Sequence, residues 1–198
     1  MTNIWVYAEL DAGVLAPIGT ELLACARQLG DVEAIALGPG AQQAAATLGE
    51  HGAGRVHWSE DSRFADYLAE PATDALAALV GAGPPDLFLF GFSPDSRDVA
   101  ARLAARLGIG LISNALEVQV EGDEILARVP YFGGAKVATY RAEARPAIVL
   151  VRPKSYEPSA VGGTAELVEI SAVPEESSCR SHITDRVVEA GEQVKLEE

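Results

Sequence analysis

The N-terminal part of the chain alternates short apolar runs with helical patterns, and this alternation restricts the fold more than any other feature. The runs predicted as strands are Asn3–Glu9, Val32–Leu37, Arg55–Trp58, Leu87–Phe92 and Leu111-Ile112. Helical spacing of apolar residues predicts helices between them, at 17–29, 41–50, 63–69, 73–81 and 97–107. Strands that alternate with helices form a parallel sheet with right-handed crossovers and helices on both faces. We therefore expect a three-layer α/β/α fold with a mostly parallel, Rossmann-like sheet.

The pattern changes after Asn114, where predicted strands follow one another without intervening helices. These strands are Leu116–Val120, Ile125–Val129, Lys136–Arg141 and Ala147–Val151, and Glu121-Gly122-Asp123 suits a hairpin turn. They predict an antiparallel element appended to the parallel sheet, and Leu167–Val173 is predicted as one more strand. From Pro174 the sequence becomes polar. We therefore divide the chain into an α/β domain at 1–173 and an extended arm or linker at 174–198.

Composition excludes several classes of function. The net charge is −14, from 29 acidic and 15 basic residues, and such a surface would repel a nucleic-acid backbone. The chain has no apolar run of about 18 residues and no secretory signal. Cys25 is predicted to be a small buried side chain, and its distance in sequence from Cys179 does not suggest a metal site. A disulfide between the two stays open, although a reducing cytosol fits better. We expect a cytoplasmic protein with no nucleic-acid partner and no membrane insertion.

Gly38-Pro39-Gly40 is the first candidate for a ligand site, because it lies between a predicted strand and a predicted helix. A glycine turn in that position can bring backbone N–H groups and a helix N-terminus to a phosphate. The dinucleotide fingerprint requires a third glycine three residues later, and Gln43 stands there instead. A tight strand-to-helix turn is the favoured interpretation.

Gly91-Phe92-Ser93-Pro94-Asp95 is the second candidate, because it resembles the nucleophile elbow of hydrolases. Asp95 replaces the last glycine of that motif, and no histidine is evidently committed as a base. A polar loop that caps the next helix through Asp95 or Ser96 is favoured.

The third candidate is a metal site, but His51, His57 and His182 are scattered and lack the short spacing of zinc ligands. His51 is interpreted as a cation at a helix C-terminus. No P-loop motif is present. The residues alone therefore assign no catalytic, cofactor-binding or metal-binding side chain. Ligands of open parallel sheets bind beyond the carboxyl ends of the strands, so the loops after Ala8, Leu37 and Phe90 are the places to examine.

Several segments in order resemble the electron-transfer flavoprotein α subunit. They are IWVYAEL with the helix ELLACARQLG, then PPDLFLFGFSPDSRDVAARLAARLGIGLISNALEV, then ARVPYFGGAKVATYR and PAIVLVRPKSYEP. The resemblance runs from about Asn3 to Leu196. The sequence departs from the family pattern at Pro94-Asp95-Ser96, at Asn114 and at Ala135. Its length departs further, because the family's second domain, which grips the flavin, has no counterpart here.

The resemblance implies a non-catalytic N-terminal scaffold domain of a heterodimeric αβ carrier. The complete carrier would hold FAD mainly on the absent C-terminal domain, and this chain alone would not bind it tightly. It would pair with the β subunit and move electrons from dehydrogenases to a membrane-associated oxidoreductase. The 174–198 segment would then lead toward the flavin domain.

Two other functions stay open from the sequence. One is a stand-alone module that binds AMP or ATP, comparable to universal-stress-like proteins and motivated by the turn at Gly38. The other is a hydrolase built on Ser93. Calorimetry with nucleotides would identify the former, and esterase assays on Ser93→Ala would identify the latter.

Overall fold

The computed structural model describes residues 1–170 and 176–185. The twelve strands are β1 Asn3–Tyr7, β2 Leu10–Asp11, β3 Val14–Leu15, β4 Asp31–Leu37, β5 Arg55–Ser59, β6 Leu87–Gly91, β7 Leu111–Ala115, β8 Glu117–Glu121, β9 Glu124–Tyr131, β10 Lys136–Arg141, β11 Ala147–Val151 and β12 Glu166–Glu169. The helices are α1 Pro17–Ala26, α2 Ala41–Glu50, α3 Arg63–Asp66, α4 Glu70–Ala82 and α5 Pro94–Leu107, with 3₁₀ turns at Phe132–Gly134 and Glu176–Ser178.

Seven strands form one sheet in the order β12-β5-β4-β1-β6-β11-β7, and every pairing in it is parallel. The chain winds from β1 outward through β4 and β5, then returns to β6 on the other side of β1. The order therefore reverses between β1 and β6. In open α/β sheets this reversal creates a crevice at the carboxyl ends of the strands.

Helices cover both faces of the sheet, so the predicted three-layer α/β/α fold is confirmed. On one face, α1 and α2 pack Leu22, Leu23 and Leu48 against the strands. On the other face, α4 and α5 pack Leu76 and Leu103 against a second set of strand side chains. Apolar residues on both sides of each central strand explain why β6 reads as a continuous apolar run.

The prediction that Ala147–Val151 belongs to the antiparallel element is wrong. This strand, β11, lies in the parallel sheet between β6 and β7, where Ile148 pairs with Phe88 on one side and with Leu111 on the other. The physical reason is visible in its composition. All five residues of β11 are buried, and a strand covered on both faces belongs in the middle of a three-layer fold.

The other three predicted strands form the appended antiparallel sheet in the order β10-β9-β8. Val118, Ile125 and Ala127 face the core beside α1. The outer strand β10 is exposed at five of its six residues. The antiparallel sheet is therefore anchored to the body through β8 and β9, and β10 projects beyond it.

A short hairpin, β2–β3, follows β1 and was not predicted from the sequence. Each strand has only two residues, which is too short for a periodic pattern. The hairpin brings Gly13 against the loop after β4. This contact helps to shape the carboxyl edge of the sheet.

The strand predicted at 167–173 is β12 at Glu166–Glu169, and residues 171–173 lie outside the described part of the chain. Residues 176–185 lie against the α/β body. The Nη2 atom of Arg180 is 2.6 Å from the Oε1 atom of Glu70, and the Ile183 amide donates to the Asp66 carbonyl. The division at 173 and the arm at 174–198 stay predictions, because 174–175 and 186–198 are not described. Within the described residues, no helix has the length and apolar character needed to cross a bilayer.

Candidate functional site

The three loops selected from the sequence meet at the carboxyl edge of the sheet. Glu9, Gly38 and Asp95 all line one cleft of about 400 Å³. Its walls come from Tyr7 at the end of β1 and from Phe64 and other side chains of α3, α4 and α5. Ile183 borders it from the C-terminal segment. This cleft is the natural position for a ligand in such a fold.

The N-terminus of α2 points to this edge, but the protein's own carboxylate already occupies it. Glu60 accepts hydrogen bonds from the backbone amides of Gly40 at 2.9 Å and Gln42 at 2.7 Å. These are the donors that a phosphate would use at a helix N-terminus. Gly38-Pro39-Gly40 is therefore a tight turn capped by a remote acid.

Replacing Glu60 with alanine should lower the free energy of unfolding by about 1 kcal/mol, because two amides and the helix dipole lose their anion. Urea unfolding measures the change. Glu143→Ala is the matched control, because Glu143 is also an exposed acid and the removal of its charge is the same. Equal stabilities of the two variants would contradict the capping role.

The N-terminus of α5 is closed in a similar way. The helix begins at Pro94, earlier than predicted, and its cap is Ser93, whose Oγ accepts from the Ser96 amide at 3.0 Å. The prediction that Asp95 or Ser96 provides the cap is wrong, because both lie inside the first turn. The hydroxyls of Ser93 and Ser96 both donate to the carboxylate of Glu9. Ser93 is thus bonded to an acid in a capping network, and its described contacts include no histidine.

The cleft is acidic. Glu9, Asp66, Asp95 and Asp98 line it, and none of its described lining residues is lysine or arginine. Burial, together with the charges of Glu9 and Asp95, raises the pKa of the Tyr7 hydroxyl above its ordinary value. Burial and the nearby carboxylates both disfavour any further negative charge in the cleft. A phosphate-bearing ligand therefore does not fit this cleft.

The histidines are dispersed among separate contacts. The Nε2 atom of His57 lies 2.7 Å from Glu33, the ring of His182 stacks edge-on against Tyr67, and His51 ends α2. No group of three or more potential metal ligands is present in residues 1–170 and 176–185. Cys25 is buried as predicted, and both cysteines are free thiols.

A different surface is formed by the outer part of the antiparallel sheet. Tyr131 and Tyr140 lie on the face that Ala127 and Val129 bury against the body, because they share its alternation and register. Phe132, at the tip between β9 and β10, is 80% exposed. We call Tyr131, Phe132, Val137 and Tyr140 the aromatic edge; all four are exposed large apolar side chains.

Two features of the aromatic edge are typical of a docking surface. The outer side of β10 has no strand paired with it in the described residues. Phe132 also adopts a left-handed backbone conformation, with φ of 52°, although it is a bulky residue. Such strain is retained mainly where a side chain is needed in a particular place. Glycine at this position would remove the strain and lose the ring.

The geometry defines a doubly wound α/β domain whose carboxyl edge is occupied by its own acids and whose appended sheet leaves an aromatic strand uncovered. Residues 4–175 match the family model described as electron transfer flavoprotein domain, and the chain belongs to that family. The resemblance stated from the sequence is confirmed.

Curated relatives agree with this assignment. The chain is 35% identical over 162 residues to Protein FixB of Rhizobium meliloti, which covers 76% of this chain and 46% of that protein. It is 31% identical over 167 residues to the electron transfer flavoprotein subunit alpha of Syntrophomonas wolfei, covering 83% and 51%. The corresponding subunit of Mycobacterium tuberculosis is 31% identical over 182 residues, covering 90% and 56%. The chain spans about half the length of these relatives.

The family name implies a flavin, and the described residues of the carboxyl edge do not provide what FAD requires. The pyrophosphate of FAD is anionic, whereas the cleft is lined by four carboxylates. One of these, Glu9, and a fifth acid, Glu60, occupy the two helix N-termini. The carboxyl-edge cleft does not fit FAD. The same observation disfavours the stand-alone AMP or ATP module, and the comparisons do not favour it either.

Sequence reasoning missed both acids that close the edge. Glu60 lies eighteen residues from Gln42, and Glu9 lies more than eighty residues from Ser93 and Ser96. One weak signal was available, because Glu60 directly follows β5 and Glu9 lies two residues after β1, at the edge where ligands bind. The prediction named the loop that carries Glu9 but not the loop after β5 that carries Glu60, and it identified neither side chain.

Proposed function

We propose that this chain is the non-catalytic N-terminal scaffold domain of an electron-transfer flavoprotein α subunit. In this proposal it acts in the cytoplasm as part of an αβ carrier. The carrier receives electrons from dehydrogenases and passes them to a membrane oxidoreductase of the respiratory chain. FAD is held mainly by a flavin-binding part that corresponds to the C-terminal half of the relatives. Family membership and the relatives' names support the assignment.

The observation that carries the proposal is the strained, exposed ring of Phe132 within the aromatic edge. A β subunit that covers this edge would bury apolar surface and could pair with the open side of β10. Edge strands and exposed aromatic clusters are costly for a protein to leave uncovered. Interfaces also concentrate their binding energy in a few aromatic side chains.

The closed carboxyl edge supports the non-catalytic part of the proposal. Glu9 and Glu60 use the backbone and hydroxyl donors that a substrate or cofactor phosphate would need. The Ser93 hydroxyl is bonded to Glu9 within a helix cap, and residues 1–170 and 176–185 contain no group of three or more potential metal ligands. In this proposal the chemistry resides in the flavin, and this domain holds its partners in place.

Phe132→Gly is the most discriminating variant. Glycine accepts the left-handed conformation without strain, so the free energy of unfolding should stay the same or rise by about 1 kcal/mol. Loss of the ring should weaken binding of the cognate β subunit by about 30-fold or more, the effect expected for a central aromatic contact. Urea unfolding and calorimetric titration measure the two effects separately.

Leu167→Ala is the matched control, because Leu167 is 49% exposed on β12 at the far edge of the parallel sheet. It should leave the affinity for the β subunit within about twofold, as peripheral contacts do. If the wild-type chain does not bind the β subunit, the proposed function is wrong. If Phe132→Gly and Leu167→Ala bind alike, the aromatic edge is not the docking surface.

A further inference from the structure

Three basic side chains at the carboxyl edge have no acidic partner in the described residues. Arg97, Arg152 and Lys154 are exposed and form no ion pair with residues 1–170 or 176–185. We call them the basic rim. The net charge of the chain is −14, and most of its other arginines are bonded to carboxylates. Cations left unpaired in such a chain require an explanation.

The fold brings the three residues to neighbouring strand ends. Phe92 directly follows β6, and its amide donates to the Val151 carbonyl at the end of β11. The Arg97 guanidinium lies 5.0 Å from the centre of the Phe92 ring. Arg152 directly follows Val151, and Lys154 is two residues further on. Arg97 is thus held over the ring on one strand end while the other two cations extend from the next.

The loop that carries Arg152 and Lys154 is fixed at three points. The Arg152 amide donates to the Ala115 carbonyl at 2.9 Å. The Lys154 amide donates to the carboxylate of Glu21 at 2.7 Å, and Glu21 is a buried residue of α1. The Tyr156 hydroxyl accepts from the Val118 amide at 2.9 Å. Backbone and ring are anchored, while the side chains of Arg152 and Lys154 form no ion pair with the part of the chain that the structure describes.

Lys154 also adopts a left-handed backbone conformation, with φ of 64°. Glycine would adopt it without strain, whereas an L side chain such as lysine disfavours it. A rigid loop that presents charge in a strained conformation is pre-organised for recognition. Recognition of an anionic group is the use that this chemistry fits best.

The loop of the basic rim contacts the antiparallel sheet that carries the aromatic edge. Tyr156 contacts Val118 of β8, which pairs with Ala127 of β9, which pairs with Tyr140 of β10. Two strand spacings separate Val118 from Tyr140, or about 10 Å. This short separation would allow one partner to contact both surfaces.

We propose that the basic rim binds an acidic surface of the same β subunit. The inference rests on the proposed function. The rim is a local exception to a strongly negative surface, so it favours one orientation of an acidic partner and repels the others. Charge of this kind accelerates association and fixes register more than it adds affinity. Aromatic contacts would hold the partner, and the rim would orient it.

The test compares two doubly neutralised variants of this chain in binding to the cognate β subunit. Arg152→Gln with Lys154→Gln removes two charges from the rim. Arg55→Gln with Arg145→Gln removes two charges at the amino ends of β5 and β11, on the opposite edge of the parallel sheet. The global charge changes equally, so any difference between the variants is local. Thermal unfolding confirms that each variant is folded.

At about 50 mM NaCl the rim variant should associate about tenfold more slowly than wild type, and the control should stay within about twofold. At about 500 mM NaCl screening should remove the difference. Equal association rates for both variants, or a wild-type association rate that does not respond to salt, would contradict the proposed role of the basic rim. Either result would leave the proposed function intact. If the wild-type chain does not bind the β subunit at all, both the proposed function and the proposed role of the basic rim are wrong.

Discussion

Replacing Gly40 with alanine should lower the free energy of unfolding by about 3 kcal/mol or more. The backbone of Gly40 has φ of 90°, where an L side chain costs about 1–2 kcal/mol. A Cβ at this position would also lie 2.0 Å from the backbone carbonyl oxygen of Gly13. A main-chain atom cannot rotate away, so either the β2–β3 hairpin or the start of α2 must move. Movement of α2 would also strain the hydrogen bonds that Glu60 accepts.

Two other glycines separate the contributions. Gly38→Ala should cost only about 1–2 kcal/mol, because φ is 108° but the nearest atom, the Phe64 Cβ, is 3.5 Å away. Gly81→Ala in α4 should stabilise the protein by about 0.5–1 kcal/mol, since no atom lies within 4 Å of the added Cβ. Urea unfolding of the three variants gives the order. If Gly40→Ala lowers the free energy of unfolding no more than Gly38→Ala does, the β2–β3 hairpin moves aside at little cost.

Gly38-Pro39-Gly40 shows how far sequence reasoning reaches. Its position between a strand and a helix, and the missing third glycine, correctly favoured a turn over a phosphate loop. Gly40 is required because the backbone of the β2–β3 hairpin approaches it at Gly13. No periodic pattern in the sequence predicts this hairpin. Turn chemistry is local and can be read from neighbours. Close approach of two backbones depends on the completed fold.

The same distinction explains the error at Ala147–Val151. The segment was correctly predicted as a strand, because its composition is local information. Its partners were not, because its place between β6 and β7 requires the chain to leave the parallel sheet after β7 and return to it. A fully apolar strand was the available signal, since an antiparallel strand with one solvated face alternates. The continuous run favoured the centre of the sheet.

The candidate site follows from this geometry more than from any motif. Parallel strands bring the ends of β1, β4 and β6 to one edge, which the sequence predicted. Whether a ligand could bind at that edge depends on which donors Glu9 and Glu60 contact. The sequence does not predict this, because an acidic residue that follows a strand looks the same whether or not it caps a helix. The aromatic edge and the basic rim likewise combine residues from separate segments. They become surfaces only after the antiparallel sheet is folded onto the body.

Alkylation of the native protein at about pH 8 should modify Cys179 at least about a hundredfold faster than Cys25. Burial raises the pKa of the Cys25 thiol to about 11, against an ordinary value of 9.0, and a hydrogen bond from Tyr156 only partly opposes this. About one thiol in a thousand is then ionised at that pH, and the thiolate is the reactive species. Cys25 is also only 1% exposed, whereas Cys179 is partly accessible.

Iodoacetamide labelling followed by peptide mass mapping measures both cysteines in one sample, so Cys179 is the internal control. Protection of Cys25 should disappear in denaturing urea. The raised pKa also predicts a pH dependence of stability. Because the folded pKa lies above the unfolded one, the stabilisation is complete below about pH 9 and is lost as the pH rises through about 11. Two pKa units correspond to about 2–3 kcal/mol. Cys25→Ala should therefore lose less stability than wild type between pH 9 and 11, and identical losses would contradict the burial of an ionisable thiol at this position.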